Sequence, residues 1–271
     1  MSAARRAAQA GLMALCTACS GVGDPSAPFA LEFNALPWPS VVAGDTLRDS
    51  TGAAAPLGAL VFDAAGRPMP TVRVQYVALD TGVRILASGV LVPTGWRDTP
   101  VRLVATASGL QSRPVPLQIT KRPDSVAAAA ATAPVLNYDV PLGDATNLSP
   151  AVQVRVRSLQ AVAAASADSA VRGWVVRFAV ERPPPTSLMD SVQLVSEATS
   201  SIPLSGLTTR ADRDTTDGTG TAGIRVRAFP RLGQTTADSV ILRATVSYRG
   251  APVAGSPLRL VVRLQRRGAT P

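Results

Sequence analysis

Apolar and polar residues alternate in short runs along this chain, and turn residues separate the runs. Val72, Val74 and Tyr76 fall on one side of a run, with Arg73 and Gln75 on the other; Val101, Leu103, Ala105 and Ala107 share a face. Further on, Val152, Val154 and Val156 alternate with Gln153, Arg155 and Arg157, while Trp174, Val176, Phe178 and Val180 alternate with Val175, Arg177, Ala179 and Glu181. Ile224 and Val226 are followed by Arg225 and Arg227, and Val240, Leu242, Ala244, Val246 and Tyr248 line up together. The last run sets Leu258, Leu260, Val262 and Leu264 against outward Arg259 and Arg263. A period of two marks a strand with one side buried. Slipping any of the later runs by one residue would bury arginine, so their registers are well specified.

The remaining segments fit the same plan. Residues 41–47 predict an opening strand with a turn at Gly44-Asp45. Residues 57–62 predict a second strand, closed by Asp63-Ala64-Ala65-Gly66-Arg67-Pro68, and residues 85–92 a further strand with Ser88-Gly89 inside it. Residues 109–116 turn the chain and 117–120 close this first set. Short strands with turns every 8–12 residues or so, and no helical period, predict an all-β, Ig-like Greek-key sandwich. The set then recurs. Val101–Ser108 parallels Val240–Ser247 with Leu103, Ala105, Thr106 and Ser108 matched, and Ser88-Gly89-Val90 parallels Ala222-Gly223-Ile224. The expected organisation is a signal peptide over 1–18, a tether over 19–30, one Ig-like domain over 31–120, a short Ala/Pro linker over 121–134, a second Ig-like domain over 135–266 and a tail over 267–271. The second domain carries an insertion at about 182–213 that the first lacks.

Composition narrows the chemistry. Aromatics make up 4% of the 271 residues, so the cores are built from Val, Leu, Ala and Ile, with Trp38, Trp96 and Trp174 as rare large pieces. The net charge is +9 and Lys121 is the sole lysine. The arginines are dispersed singly along strand faces, which predicts solvated surfaces and no nucleic-acid partner. There is no histidine, which removes the commonest general base and metal ligand. Both cysteines, Cys16 and Cys19, lie near the N-terminus, leaving the body without thiol chemistry, a disulfide or a Cys/His metal site. No G-x-S-x-G, phosphate-loop or dinucleotide motif occurs, so neither catalysis nor a cofactor is expected.

Residues 1–19 combine Arg5-Arg6, an apolar run and small residues, the plan of a secretory signal. Leu15-Cys16-Thr17-Ala18-Cys19 resembles a bacterial lipobox, with Leu15 one place further from Cys19 than the pattern sets it. That resemblance implies lipidation at Cys19, and Ser20 after it implies sorting to the outer membrane; ordinary cleavage near Ala18, giving a periplasmic or secreted protein, is the alternative. No later stretch reaches the roughly 18 uninterrupted apolar residues of a spanning helix, so the body is expected to be soluble, reaching the membrane through the N-terminal lipid.

Asp217-Gly218-Thr219-Gly220-Thr221-Ala222-Gly223-Ile224-Arg225-Val226, followed by Asp238-Ser239-Val240-Ile241-Leu242-Arg243-Ala244-Thr245-Val246, resembles the bacterial Ig-like (Big) domains of invasin- and intimin-type surface proteins. Val42-Ala43-Gly44-Asp45-Thr46 resembles the opening of such a domain. The resemblance covers about four-fifths of the chain and implies sandwiches exposed outside the cytoplasm. It leaves function open, because this fold hosts many.

Two constellations remain. Asp212, Asp214 and Asp217, with Gly218 and Gly220, offer oxygens at a spacing that suits a hard cation, but the calcium-loop pattern and its closing glutamate are missing, and Asp and Gly are what a tight turn requires. The insertion offers Leu188, Met189 and Leu207 as apolar contacts of a binding loop, and 191–196 as an added edge strand. The expected function is a non-enzymatic, lipid-anchored surface adhesion, scaffold or spacer protein. The alternative is a module that binds a glycan, protein or other envelope partner through the insertion.

Overall fold

The computed structural model describes residues 27–138, 147–159, 169–181, 192–196, 212–228 and 238–267. The signal, Cys19, Leu188, Met189 and Leu207 lie outside these residues. All regular structure among the described residues is β. The first strands are β1 (Ala30–Phe33), β2 (Ser40–Val42), β3 (Ala59–Phe62), β4 (Gln75–Ala78), β5 (Val83–Ile85), β6 (Leu91–Pro93), β7 (Val101–Ala107), β8 (Leu110–Gln111) and β9 (Val115–Thr120). Then follow β10 (Ser125–Ala128), β11 (Val135–Tyr138), β12 (Val152–Arg157), β13 (Val175–Val180), β14 (Val192–Ser196), β15 (Arg213–Thr215), β16 (Thr221–Ala228), β17 (Ser239–Thr245), β18 (Ser247–Tyr248), β19 (Ala251–Pro252) and β20 (Leu258–Arg266). The chain divides into two compact units. Unit 1 takes the chain up to Ala35, Gly58–Val77 and Leu103–Val115; unit 2 takes Leu36–Leu57, Ala78–Arg102 and everything from Pro116.

Unit 1 is organised by hairpins. Strands β1 and β3 pair antiparallel with Leu31 opposite Val61, and Phe33 meets Tyr76 edge-on at 5.8 Å between ring centroids. The turn predicted at 63–68 forms because Asp63 Oδ1 accepts from the amides of Ala65 and Arg67, while Arg67 Nε donates to Oδ2. The hairpin from β7 to β8 turns on Ser108 and Gly109, both at positive φ, as a tight two-residue β-turn requires. The strand expected over 71–79 is shorter. Met69–Val72 is a turn closed by Val72 N donating to Met69 O, and Pro70 brings no N–H, so β4 starts at Gln75.

In unit 2, residues 85–92 are two strands rather than one. Gly89 takes φ +80°, Leu86 N donates to Val90 O, and β5 folds back on β6. Opening strand β2 pairs parallel with β9, Val41 opposite Ile119. The later strands repeat that arrangement: β11 pairs parallel with β20, Leu136 opposite Leu264. They form two sheets, ordered β10-β12-β16-β14 and β11-β20-β17-β13-β15. The alternation read from the sequence fills the space between these sheets. Val152, Val154, Val156, Ile224 and Val226 from one pack with Val176, Phe178, Val240, Leu242, Ala244 and Val262 from the other. This is an Ig-like Greek-key sandwich, and the chain carries the plan in tandem.

One stretch departs from the sequence reading, and another follows it. Within 121–134, read as linker, Ser125–Ala128 is β10, paired with β12. Within 182–213, Val192–Ser196 is β14, paired through five residues with β16, and its Val192, Leu194 and Val195 are buried. That part of the insertion completes a sheet.

Candidate functional site

The three aspartates of the candidate cation loop have separate tasks. Asp217 Oδ1 accepts from the amides of Thr219 and Thr221 and from the Thr219 hydroxyl, closing the turn into β16. Asp214 Oδ2 accepts from Gly223 N. Asp212 is exposed and faces Arg213 Nε at 3.3 Å. Among the described residues no three His, Cys, Asp or Glu side chains gather as a metal site. Lys121 is buried, with its ammonium 5.3 Å from the centre of the Trp96 ring.

The densest polar constellation in unit 2 centres on Asp45. Strand β2 ends at Val42, Gly44 turns the chain at φ +77°, and Asp45 N donates to Val42 O. The carboxylate, 6% exposed, then meets two guanidinium forks. Arg48 donates Nε to Oδ2 at 2.9 Å and Nη2 to Oδ1 at 2.8 Å. Arg249 donates Nε to Oδ2 at 3.0 Å and places Nη2 2.9 Å from Oδ1. The Tyr248 hydroxyl donates to Oδ2 at 2.6 Å, and Thr46 N donates to Oδ1. Burial pushes the Asp45 carboxyl up; the donors from Arg48, Arg249, Tyr248 and Thr46 outweigh it and hold the group far below the usual carboxylate range. Burial and the hydrogen bond to Asp45 push the Tyr248 phenol up to about 12.

Backbone and rings extend this joint. Tyr248 and Arg249 sit on the β18–β19 hairpin, whose turn is Arg249 at φ +53° and Gly250 at φ +78°. Gly52, at φ +90°, lies so close to that turn that an added Cβ would stand 2.1 Å from Gly250 N. Arg48 Nη1 donates to Gly52 O, fixing the loop over the hairpin. Beneath it, Trp38 and Trp174 lie 5.9 Å apart and Trp174 meets Tyr248 edge-on at 6.1 Å. Val42 belongs to the sandwich core, so the apolar packing runs unbroken into the joint. The sequence reading placed Asp45 in a turn and Tyr248 on a strand face, but did not assemble them with Arg48 and Arg249 as a site. The available signal was compositional: two of the three tryptophans and one of three tyrosines converge here.

No protein-family model matches this chain and no curated protein is similar to it. Among solved structures, the Yersinia pseudotuberculosis adhesin InvE is 14% identical, the match covering 87% of this chain and 58% of that one at a TM-score of 0.32. Invasin, described as a bacterial integrin-binding protein, is 14% identical over 87% of this chain and 39% of its own, at a TM-score of 0.27. The tandem Ig repeats of Dlar are 8% identical over 89% of this chain and all of theirs, at 0.22. The chain thus spans less than two thirds of either bacterial neighbour.

Proposed function

We propose that this chain is an exported, lipid-anchored protein of the cell envelope whose tandem Ig-like modules serve, without catalysis, as a stiff spacer or scaffold for surface adhesion. The carrying observation is the Asp45 joint. It fastens residues 38–52 to Trp174 and the 247–250 hairpin by two bidentate guanidinium pairs, a phenol and a tilted pair of indoles. A buried carboxylate with every donor fixed in direction suits a rigid connection rather than a hinge. Lipidation at Cys19 supplies the anchor in this reading.

Palmitate labelling of cells expressing wild type or Cys19→Ala, combined with protease accessibility on intact cells, tests anchoring and exposure. Label in wild type alone and surface digestion are expected; an unlabelled or protected chain overturns the placement. Hydrogen exchange tests stiffness. The amides of 45–52 and 247–252 are expected to exchange as slowly as those of β17, and fast exchange there would make the joint a hinge.

A further inference from the structure

We propose that the outward face of the sheet β15-β13-β17-β20 docks a linear acidic polysaccharide. The choice of a polysaccharide rests on the exported placement above; the geometry comes from the sheet itself. Each of four neighbouring strands contributes at least one exposed arginine: Arg213 on β15, Arg177 on β13, Arg243 on β17 and, first of three, Arg259 on β20. The register sets Arg177 directly opposite Arg213 and Arg243 directly opposite Arg259. Arg177 lies opposite Thr245, one outward step along β17 from Arg243. With adjacent strands about 4.8 Å apart, the four positions form a stepped line spanning roughly 14 Å across the strands, shifted along them by about 7 Å between β13 and β17. Arg263 extends it along β20.

Like charges directly opposite one another destabilise a sheet, so two such pairs in one line are a cost that a bound polyanion would offset. Two carboxylates reach the line. Glu181 accepts from Arg259 Nε at 2.7 Å and stands 3.8 Å from Arg243 Nη2, and Asp212 stands 3.3 Å from Arg213 Nε. Arg177 and Arg263 make no ion pair among the described residues. Guanidinium forks bind carboxylate and sulfate oxygens two at a time. A line of them fits a linear polymer better than the plane of a bilayer. The other outward positions, Thr215, Ala179, Ser239, Ile241, Thr245, Val261 and Gln265, carry no aromatic ring. Single-stranded nucleic acid is held on aromatic platforms, which this face lacks.

The test uses the purified full chain and heparin as the sulfated-polysaccharide probe, titrated at several salt concentrations. Arg177→Gln/Arg243→Gln is expected to weaken binding at least tenfold and to flatten its salt dependence, with an unchanged or higher melting temperature. Arg73→Gln/Arg84→Gln, two exposed arginines off the line, is the charge-matched control and should stay within twofold of wild type. Three results overturn the proposal: no heparin binding, equal loss in both pairs, or tighter capture of single-stranded DNA or phosphatidylglycerol vesicles through Arg177 and Arg243. Failure of heparin binding by a chain that is surface-digested on cells sinks this inference alone. Protection from protease on cells, with heparin binding intact, sinks the placement instead.

Discussion

The Tyr248 hydroxyl donates to Asp45 Oδ2 at 2.6 Å across 203 residues of chain. The same carboxylate receives both forks of Arg48 and Arg249, so removing its charge leaves two guanidiniums and a phenol facing a neutral group. Breaking a buried pair by neutralising one partner typically costs about 3–5 kcal/mol. Asp45→Asn keeps the shape, and because Arg48 and Arg249 stay partly solvated it is expected to lower the unfolding free energy by less than that, about 1.5–3 kcal/mol, in a urea titration. The folded carboxyl titrates far below its unfolded value, so its contribution is present above about pH 4 and fades as pH falls further. Asp45→Asn should therefore lose less stability than wild type on acidification below about pH 4. Equal acid sensitivity would mean other carboxylates dominate.

At the alkaline end the sign reverses. The Tyr248 phenol is raised to about 12, against about 10 in the unfolded chain. A group raised on folding contributes stability that is whole below its unfolded value and lost as pH climbs through the folded one. The melting temperature is expected to drop between about pH 10 and 12, and Tyr248→Phe should remove most of that drop while lowering stability at neutral pH. Burial also raises Tyr76, so the difference between the two proteins, rather than the wild-type curve, is the readout.

Gly52 has a requirement that no side-chain contact reveals. At φ +90°, with Gly250 N 2.1 Å from a built Cβ, it has neither the conformation nor the room for alanine. Left-handed backbone alone costs an L residue about 1–2 kcal/mol, and the backbone clash adds to it. Gly52→Ala is expected to cost at least about 2 kcal/mol, whereas Gly66→Ala, with open space around its Cβ, should cost only the conformational part. Equal losses in thermal melts would show that the close approach carries no weight.

Strand alternation was legible because each β position reports its own burial. Val176, Phe178, Leu242 and Val262 announce the sandwich core, and Asp217 with Gly220 announces a turn. The joint was not legible, because Asp45 and Tyr248 are brought together by the fold across a separation that no local period records. Residues 85–92 read as one strand because Ile85 and Val92 are β-formers; Gly89 at positive φ made them a hairpin. Residues 192–196 form the edge strand expected there, whereas residues 125–128 were undervalued because an Ala-rich run carries weak strand propensity and pairing with β12 supplies what propensity lacks.

Arg227 breaks the rule that arginine faces water on these strands. It lies on β16 opposite Gln193, is 5% exposed, and its Nε has no hydrogen-bond partner. Burial pulls its guanidinium below the usual arginine value, and none of the ion pairs among the described residues includes it. A buried guanidinium with no ion pair among the described residues is a net cost, and exchanging such groups for apolar ones of similar volume is often neutral or stabilising by about 1–4 kcal/mol. Methionine preserves much of the unbranched stem and adapts to irregular space. Arg227→Met is expected to leave the melting temperature unchanged or raise it, while Arg227→Ala, which also opens a cavity, should lower it. If the methionine variant melts several degrees lower, the guanidinium is stabilising the fold and an anion balances it.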